Sequence, residues 1–413
     1  MMERGLKILC INQFFYPDSF GGVERVAYET MRRLAARGHE VHLVGQRMKP
    51  DTPDTEELFG LTVHRYGTTR GSRRFGGRTR SALLSSGPVM ERLLGEHEFD
   101  VVMPHHFFPY YSYLKLAGAD APPAILTFHA SFWQELKLEG AERSIGKPLE
   151  RLLFGRLARQ TEAACLRGAD RVVVLSDFSR ELLGSCYPFA RSKVVRIPGG
   201  VDLERFHPAA DRGAVRETLG LPADRPVIFT ARRLVPRMGV ENLLLAMAEV
   251  RAEFPDAFLV IAGRGRLDGE LRELATSTGI ADCVKFVGFV EDSDLVRYYQ
   301  AADLFVLPSL AFEGFGMVTL EALACGTPAL GTPIGATPEI LERLAPQLLL
   351  AGPEPNAIKR GVGVMLKWLS DPSAALELRA LCRNYVESEY GWDRAVDSLE
   401  EQMRELLGGS GRR

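Results

Sequence analysis

The chain has little net charge, few cysteines and no long hydrophobic run. Its 51 basic residues nearly balance 53 acidic ones, a net charge of −2 over 413 residues, which excludes a broad field for nucleic acid. No stretch approaches the ~18 apolar residues that span a membrane. The six cysteines form no CxxC pair and no cluster with zinc spacing, so no metal site is expected. They are expected to be core residues in a reducing compartment.

The length of the chain predicts two domains. A chain of 413 residues exceeds one ordinary core and fits two domains of about 200 residues each. A strand-like KILCIN already begins at residue 7, so we expect no signal peptide and a cytoplasmic location. The glycine- and proline-rich segment 197–208 is the predicted linker between the domains.

Apolar stretches of strand length alternate with helical segments in both halves. In the first half we predict a helix at 23–37 and strands at 7–12, 40–45, 99–103, 124–128, 171–175 and 194–197. In the second half, strands and helices are predicted to alternate at 226–231, 240–253, 257–262, 267–277, 284–287, 292–301, 303–307 and 317–325. This alternation predicts an α/β fold of two Rossmann-like domains with parallel sheets. Ligands are expected at the carboxyl ends of the strands, in a central cleft.

Two glutamates lie on either side of a predicted helix start. DLFVL at 303–307 reads as a buried strand, and residues 317–325 as a helix that ends at Gly326. Glu313 then lies in the loop and Glu321 inside the helix.

This strand–loop–helix segment predicts binding of a nucleoside diphosphate sugar. Backbone N–H groups at a helix N-terminus bind phosphate, and the residues expected to do so are Gly314, Phe315, Gly316 and Met317. A carboxylate within the helix, Glu321, can accept hydrogen bonds from a ribose diol. A carboxylate in the loop, Glu313, can do the same for a second polyol.

The spacing Glu313-x7-Glu321, with LPS, GFG and EALACGTP around it and GATPEI at 335–340, resembles the signature of retaining nucleotide-sugar glycosyltransferases of family 4. This resemblance implies the GT-B fold and sugar transfer from a nucleotide diphosphate sugar to an acceptor hydroxyl, without metal or cofactor. In GT-B proteins the last helix often returns to the N-terminal domain. We therefore predict one domain from 1–200 with helix 392–413, and a nucleotide-sugar-binding domain from 201–391.

The resemblance also implies roles for residues elsewhere in the chain. Gly21 and Gly22, in GGVE, match a glycine-rich loop that faces the donor diphosphate or the acceptor. His129, after strand 124–128, matches a histidine that borders the donor sugar. Gly263 matches a loop near the nucleotide. The predicted catalytic residues are His129, Glu313 and Arg233.

The chain departs from the family at a basic pair that binds phosphate. Family members commonly carry R-L-x-x-x-K-G, and this chain has Arg233-Leu-Val-Pro-Arg237-Met238-Gly. Arg233 keeps its place, but Met238 replaces the lysine. A diphosphate leaving group needs cations, so we expect Arg232 or Arg237 to supply the second one. Adjacent residues of an extended segment point in opposite directions, which favours Arg237 beside Arg233.

Two segments could meet the acceptor. Residues 70–80 carry five arginines, which could contact an anionic acceptor or the inner membrane surface; a solvated loop is the alternative. The aromatic run at 105–113 could stack on sugars or pack in the core.

Two rival functions stay open. A nucleotide-sugar epimerase could use the same fold, and it would release epimerised donor without an acceptor. A non-catalytic scaffold could bind sugar or nucleotide without turnover, and Met238 favours that interpretation. The sequence leaves the sugar, the nucleotide base and the acceptor undetermined.

Overall fold

The computed structural model describes residues 5–19, 21–49, 51–67, 77–118, 120–134 and 148–409. The chain divides into two compact units. Unit 1 comprises the residues up to Pro198 and those from Trp392 onward, and unit 2 is Gly199–Gly391. Within the described ranges, every helix is too short or too polar to cross a membrane.

Unit 1 is built on mostly parallel strands. Its strands are β1 Lys7–Ile11, β2 Glu40–Gln46, β3 Thr55–Leu58, β4 Leu61–Tyr66, β5 Val101–Pro104, β6 Ile125–Phe128, β7 Arg171–Val174 and β8 Val194–Arg196. They form sheets of order β3-β4-β2-β1-β5 and β6-β7-β8, and a parallel bridge from Val102 to Ala124 joins β5 to the start of β6. Only the β3–β4 pair is antiparallel among the described ladders.

Helices cover this sheet. They are α1 Gly22–Ala36, α2 Gly77–Glu96, α3 Phe107–Leu116, α4 Pro148–Gly168 and α5 Asp177–Cys186.

Unit 2 is a second parallel α/β sheet. Its strands are β9 Val227–Ala231, β10 Phe258–Ala262, β11 Val284–Gly288, β12 Leu304–Leu307 and β13 Ala329–Gly331, in the order β11-β10-β9-β12-β13. Its helices are α6 Arg212–Leu219, α7 Val240–Glu253, α8 Asp268–Ser277, α9 Asp292–Ala301, α10 Met317–Ala324, α11 Thr337–Leu344, α12 Pro355–Leu369 and α13 Pro372–Glu389. Strand β12 is fully buried along its length, because helices cover both faces of a parallel sheet.

The last helix, α14 Trp392–Gly409, packs within unit 1. Arg37, just after α1, donates to Asp397 at 2.7 Å and to Glu400 at 3.2 Å. His39 lies 3.2 Å from Glu400 as well. These contacts fix the polar face of α14, and its apolar side chains Val396, Leu399 and Met403 are buried.

The predicted α/β class with parallel sheets is confirmed. In α7, one face of the helix is buried, and it comprises Leu243, Leu244, Met247 and Val250. No element was predicted from the sequence for β3, β4, β13, α2, α4, α5, α6, α11, α12 or α13. The aromatic run 105–113 was left without a secondary structure, whereas most of it forms α3.

The aromatic run belongs to the core. Phe108, Tyr110 and Tyr113 are buried in the hydrophobic cluster of unit 1, so the packing interpretation holds for them. Of the arginine-rich segment, residues 70–76 lie outside the described residues, and Gly77–Arg80 begin α2. The cysteines are buried except Cys186, which is half-buried.

Candidate active site

The loop after β12 is hydrogen-bonded to the loops that follow both neighbouring strands of the unit 2 sheet. Leu310 N donates to the carbonyl of Arg237, in the loop after β9, at 2.9 Å. Thr332 Oγ1, just after β13, donates to the carbonyl of Ser309 at 2.6 Å. Because β12 lies between β9 and β13, three loops meet at the carboxyl edge of the sheet and hold one another.

Glu313 is the centre of this edge. Its side chain is largely buried, and Oε2 accepts hydrogen bonds from Ser309 Oγ at 2.8 Å and from Arg232 Nη2 at 2.7 Å. Its carbonyl accepts from Ala336 N at 2.8 Å. Gly335, at φ +62°, approaches so closely that an added Cβ would lie 2.1 Å from the Glu313 carbonyl oxygen. The GATPEI motif therefore contributes a glycine that lets two loops touch.

Helix α10 begins just after Glu313. Gly316 is its N-cap residue, with φ +81° in the left-handed region that favours glycine. The first turn of any helix leaves backbone N–H groups without intrahelical partners. Phe315 is buried, and its ring lies where a Cβ on Gly199 would be only 2.8 Å away. Glycine at 199 thus makes room for this ring.

Glu321 lies in the second turn of α10 and is half-buried. The hydroxyl of Tyr299, on α9, donates to Glu321 Oε2 at 2.8 Å. Burial, together with the charge of Glu321, raises the pKa of Tyr299 well above its ordinary value, so the hydroxyl stays a donor at neutral pH. Tyr299 thus orients the carboxylate, a role for which the sequence held no signal beyond a buried helical position.

The two adjacent arginines after β9 differ in burial. The side chain of Arg232 is only 6% exposed and is ion-paired with Glu313, whereas Arg233 is exposed. Met238 is buried, and its sulfur lies 2.8 Å from Arg232 Nη2. The structure therefore brings Arg232 to Glu313. The sequence had favoured Arg233 and Arg237 as the cations that bind the diphosphate.

Gly263 fixes the loop after β10. At φ +131°, an added Cβ would lie 1.8 Å from the carbonyl oxygen of Arg232, and Gly263 N donates to the carbonyl of Gly288 at 2.7 Å. This position needs glycine for close packing against the Arg232 backbone. Any contact with nucleotide would come in addition to that structural role.

In unit 1, the carboxyl edge of the sheet carries histidines. His129 follows β6, and its Nε2 lies 3.1 Å from Nδ1 of His105, which follows β5. His105 N also donates to the carbonyl of Ile11, at the end of β1. Burial and the neighbouring His105 and His106 hold the pKa of His129 well below its ordinary value. His129 is therefore neutral at pH 7, one ring nitrogen facing His105.

The glycine at the start of α1 makes room for the carboxylate of Glu24. Gly21 is the N-cap residue of α1, and a Cβ there would lie 2.4 Å from Glu24 Oε2. Ser19 Oγ donates to the other oxygen of Glu24 at 3.1 Å. Gly22 is the first residue of the helix. A negative charge from Glu24 therefore already lies at this helix N-terminus, where it is favourable.

One group among the described residues could offer three metal ligands: Glu40, His42 and His97, whose ligand atoms lie within 4.8 Å of one another. Lys7 Nζ lies 2.9 Å from Glu40 and 3.4 Å from His97 Nδ1. The lysine ammonium thus already provides a positive charge at this cluster.

Two family models match the chain in succession. "Glycosyltransferase Family 4" matches residues 20–205, and "Glycosyl transferases group 1" matches residues 211–388. Together they cover most of both units.

Named relatives are similar over most of their length. The GDP-mannose-dependent alpha-(1-6)-phosphatidylinositol monomannoside mannosyltransferase of Mycolicibacterium smegmatis is 30% identical over 78% of this chain and 79% of that protein. The D-inositol 3-phosphate glycosyltransferase 1 of Catenulispora acidiphila is 29% identical over 95% and 93%. A monoacylated-substrate mannosyltransferase of Corynebacterium glutamicum is 38% identical, but over 50% of this chain and 56% of that relative.

Solved structures share the fold. Sucrose-phosphate synthase from Thermosynechococcus elongatus has a TM-score of 0.80 at 23% identity, covering 98% of this chain and 100% of that one. An Anabaena protein in complex with UDP and glucose has a TM-score of 0.72 at 19% identity, covering 97% and 100%. The chain belongs to the family 4 glycosyltransferases and has their GT-B fold of two Rossmann-like domains.

Proposed function

We propose that this glycosyltransferase moves a sugar from a nucleotide diphosphate sugar to an acceptor hydroxyl with retention of the anomeric configuration. The observation that carries the proposal is the buried edge of unit 2, where the held carboxylate of Glu313 precedes the N-terminus of α10 and Glu321 lies inside that helix. An anion site between two polyol-binding carboxylates suits a sugar–diphosphate–ribose ligand.

Each group has a proposed part in binding the donor. The N–H groups at the start of α10 hold the diphosphate, and the residues concerned are Gly314, Phe315, Gly316 and Met317. Glu321, oriented by Tyr299, accepts hydrogen bonds from the ribose diol. Glu313 accepts hydrogen bonds from hydroxyls of the sugar through the oxygen that Ser309 and Arg232 leave free.

Other roles rest on the sequence alone. These are phosphate binding by Arg233 and Arg237, and nucleotide contact at Gly263. The same holds for contact with donor or acceptor at Gly21, Gly22 and His129. The domain roles, acceptor binding in unit 1 and donor binding in unit 2, are proposals of the same kind.

The proposed reaction needs no protein nucleophile. The acceptor oxygen attacks the anomeric carbon on the face from which the diphosphate leaves. The bond from this carbon to the diphosphate oxygen breaks, and its electron pair goes to the leaving group. The acceptor proton passes to a phosphate oxygen. The chain positions both substrates and stabilises the charge that grows on the diphosphate, so we propose that no metal or cofactor takes part.

The relatives support a first choice of substrates. The Mycolicibacterium protein is named for GDP-mannose and a phosphatidylinositol monomannoside, and the Catenulispora protein for D-inositol 3-phosphate. We therefore take GDP-mannose as the donor and an inositol phosphate group, free or in a lipid, as the acceptor. We propose a cytoplasmic location, and a lipid acceptor would bring the enzyme to the inner membrane surface.

A transfer assay tests the proposal. The purified chain is incubated in EDTA with labelled GDP-mannose and either D-inositol 3-phosphate or vesicles that contain phosphatidylinositol monomannoside. UDP-glucose is the alternative donor. We expect label in the acceptor and an α-linked product by NMR. Inverted product would contradict retention, release of epimerised donor would favour the epimerase, and nucleotide binding without turnover would favour the scaffold.

A further inference from the structure

The guanidinium of Arg232 is a buried cation, and at least one of its N–H donors has no partner among the described residues. Nη2 makes three contacts, with Glu313 Oε2 at 2.7 Å, Ser309 Oγ at 2.8 Å and Met238 Sδ at 2.8 Å. Nε is buried and has no hydrogen-bond partner in the part of the chain that the structure describes. A guanidinium offers five N–H donors, and a buried donor left without a partner is costly. The arrangement therefore has capacity for an anionic ligand.

Met238 provides an uncharged contact for this cation. It is 7% exposed and ends the short helical turn Pro236–Met238. The next residue, Gly239, lies so close to the end of β12 that a Cβ would be 1.8 Å from the carbonyl oxygen of Pro308. The backbone next to 238 is thus fixed beside the end of β12, and the side chain of Met238 extends to Arg232. A thioether accepts hydrogen bonds only weakly, so it contacts the guanidinium without competing for Glu313.

A lysine at 238 would change this arrangement. Its side chain is one atom longer than methionine, so its ammonium would reach the place that Arg232 Nη2 now occupies. Two cations would then compete for the carboxylate of Glu313, and like charges in a poorly solvated site repel strongly. In this structure the cation paired with Glu313 is Arg232, and a lysine at 238 would compete with it.

We infer that Arg232 and Met238 form an exchanged pair, in which the guanidinium of Arg232 replaces the lysine ammonium that the family pattern expects at 238. Arg232 binds the donor diphosphate with its remaining N–H donors and holds Glu313 with Nη2. Met238 keeps the guanidinium in place. This inference rests on the proposed function, and it makes Arg232 rather than Arg237 the second cation of the donor site.

Four variants test the exchange: Arg232→Ala, Met238→Lys, the double variant, and Arg297→Ala as a control at an exposed arginine of α9. Calorimetry gives the affinities for GDP and UDP, each compared with its monophosphate. Turnover is the rate of nucleotide release from GDP-mannose. A thermal melt of each variant reports folding.

Arg232→Ala should weaken nucleoside diphosphate binding about tenfold more than monophosphate binding and lower turnover by roughly 10²-fold, the usual loss for one preorganised charge-stabilising group. Met238→Lys alone should also lose activity. The double variant should turn over at least about tenfold faster than Arg232→Ala, because lysine then supplies the only cation at Glu313. Arg297→Ala should match the wild type.

Other results overturn the inference. Equal losses of diphosphate and monophosphate affinity would show that Arg232 does not contact the second phosphate. The fold-loss of turnover in the double variant could equal the product of the fold-losses in the two single variants. The residues would then act independently, and they would not be an exchanged pair. An Arg232→Ala chain that melts earlier but keeps its preference for diphosphate would leave Arg232 a purely structural role. A wild type that binds neither GDP nor UDP would overturn the proposed function itself.

Discussion

The loops at the carboxyl ends of the two parallel sheets differ in the charge of the side chains that they bury. In unit 2, the edge holds the ion pair of Arg232 and Glu313. Glu321 follows in the second turn of α10. In unit 1, the edge holds His129 and His105, 3.1 Å apart, and burial keeps both imidazoles neutral at pH 7. Two sheets of one architectural class thus present a buried ion pair after β9 and β12 in unit 2, and a pair of neutral imidazoles after β5 and β6 in unit 1.

This difference shows how each edge can work. A buried charge persists only where partners hold it, and Glu313 has both a hydroxyl and a guanidinium. Such a preorganised charged site suits a diphosphate and the hydroxyls of a sugar. The pair of His105 and His129 carries no charge at pH 7, and it suits neutral hydroxyl groups. The following predictions test this contrast, in order of decreasing expected effect.

The largest effect is expected at Glu313. Glu313→Gln keeps the shape but removes the charge that Arg232 holds, so it should lower sugar transfer by roughly 10²–10³-fold. Binding of the free nucleotide should change far less, because this loop carboxylate is proposed to contact the sugar. Initial rates with GDP-mannose, and calorimetry with GDP, check both parts.

The matched control is Glu342→Gln, at an exposed position of α11, which should behave like the wild type. Equal losses of transfer and nucleotide affinity in Glu313→Gln would contradict the assignment of Glu313 to the sugar.

A smaller effect is expected at Glu321. Glu321→Ala removes the acceptor for the ribose diol, and one hydrogen bond to a charged group is worth about 1.5–3 kcal/mol. Nucleotide affinity should therefore fall about tenfold or more while the fold stays intact. Tyr299→Phe removes only the hydroxyl that orients Glu321 and should weaken binding less. Unchanged affinity of Glu321→Ala, measured by calorimetry, would exclude this role.

At the neutral histidine pair of unit 1, His129→Asn should have a modest effect. Asparagine retains a polar group, and a neutral hydrogen bond contributes about 1 kcal/mol. We expect transfer to fall severalfold and nucleotide affinity to stay the same. A loss as large as that of Glu313→Gln would mean that the two edges share the charged chemistry.

The smallest and most gradual effect concerns pH. Burial holds the pKa of His105 at about 3, and that of His106 at about 4, against an ordinary value of 6.5. Between about pH 6.5 and pH 4 the unfolded chain takes up protons that these folded groups refuse, so unit 1 loses stability as the pH falls.

Unit 2 should respond in a lower range of pH. Burial acts to raise the pKa of Asp303, but Arg212 and Arg216 outweigh it and hold this pKa below 3.8. The stability from this network is present above 3.8 and is lost only as the pH falls further. Hydrogen exchange from pH 7 to pH 4 should show unit 1 peptides deprotected before the peptides around Asp303. The reverse order would contradict the comparison, and His106→Gln should reduce the acid sensitivity of unit 1.

The sequence predicted the regular parts of the fold well. Strand β12 and helix α10 were foreseen almost to the residue, because an uninterrupted apolar run and a terminal glycine mark them. Strands β3 and β4 were missed, since β3 is half exposed and ladder pairing, not apolar content, defines it. Helix α3 was missed because its aromatic residues are mostly buried and leave little polar periodicity.

The site was only half predictable for a related reason. The motif located Glu313 and Glu321, but their partners come from distant parts of the chain. Arg232 lies 81 residues before Glu313, and the two meet because β9 and β12 are neighbours in the sheet. Local sequence cannot show such a pairing. From the sequence, either Arg232 or Arg237 could accompany Arg233, and the alternation of an extended segment favoured Arg237.

The most direct test is hydrogen exchange of the wild-type chain with and without saturating GDP, repeated with UDP. Our account predicts that one of the two nucleotides protects the backbone amides of the loop 309–316 and of helix α10 in unit 2. The strongest protection should fall at the start of α10, and the His105–His129 edge of unit 1 should change less. Protection confined to unit 1, or none at α10 with a nucleotide that binds by calorimetry, would contradict it.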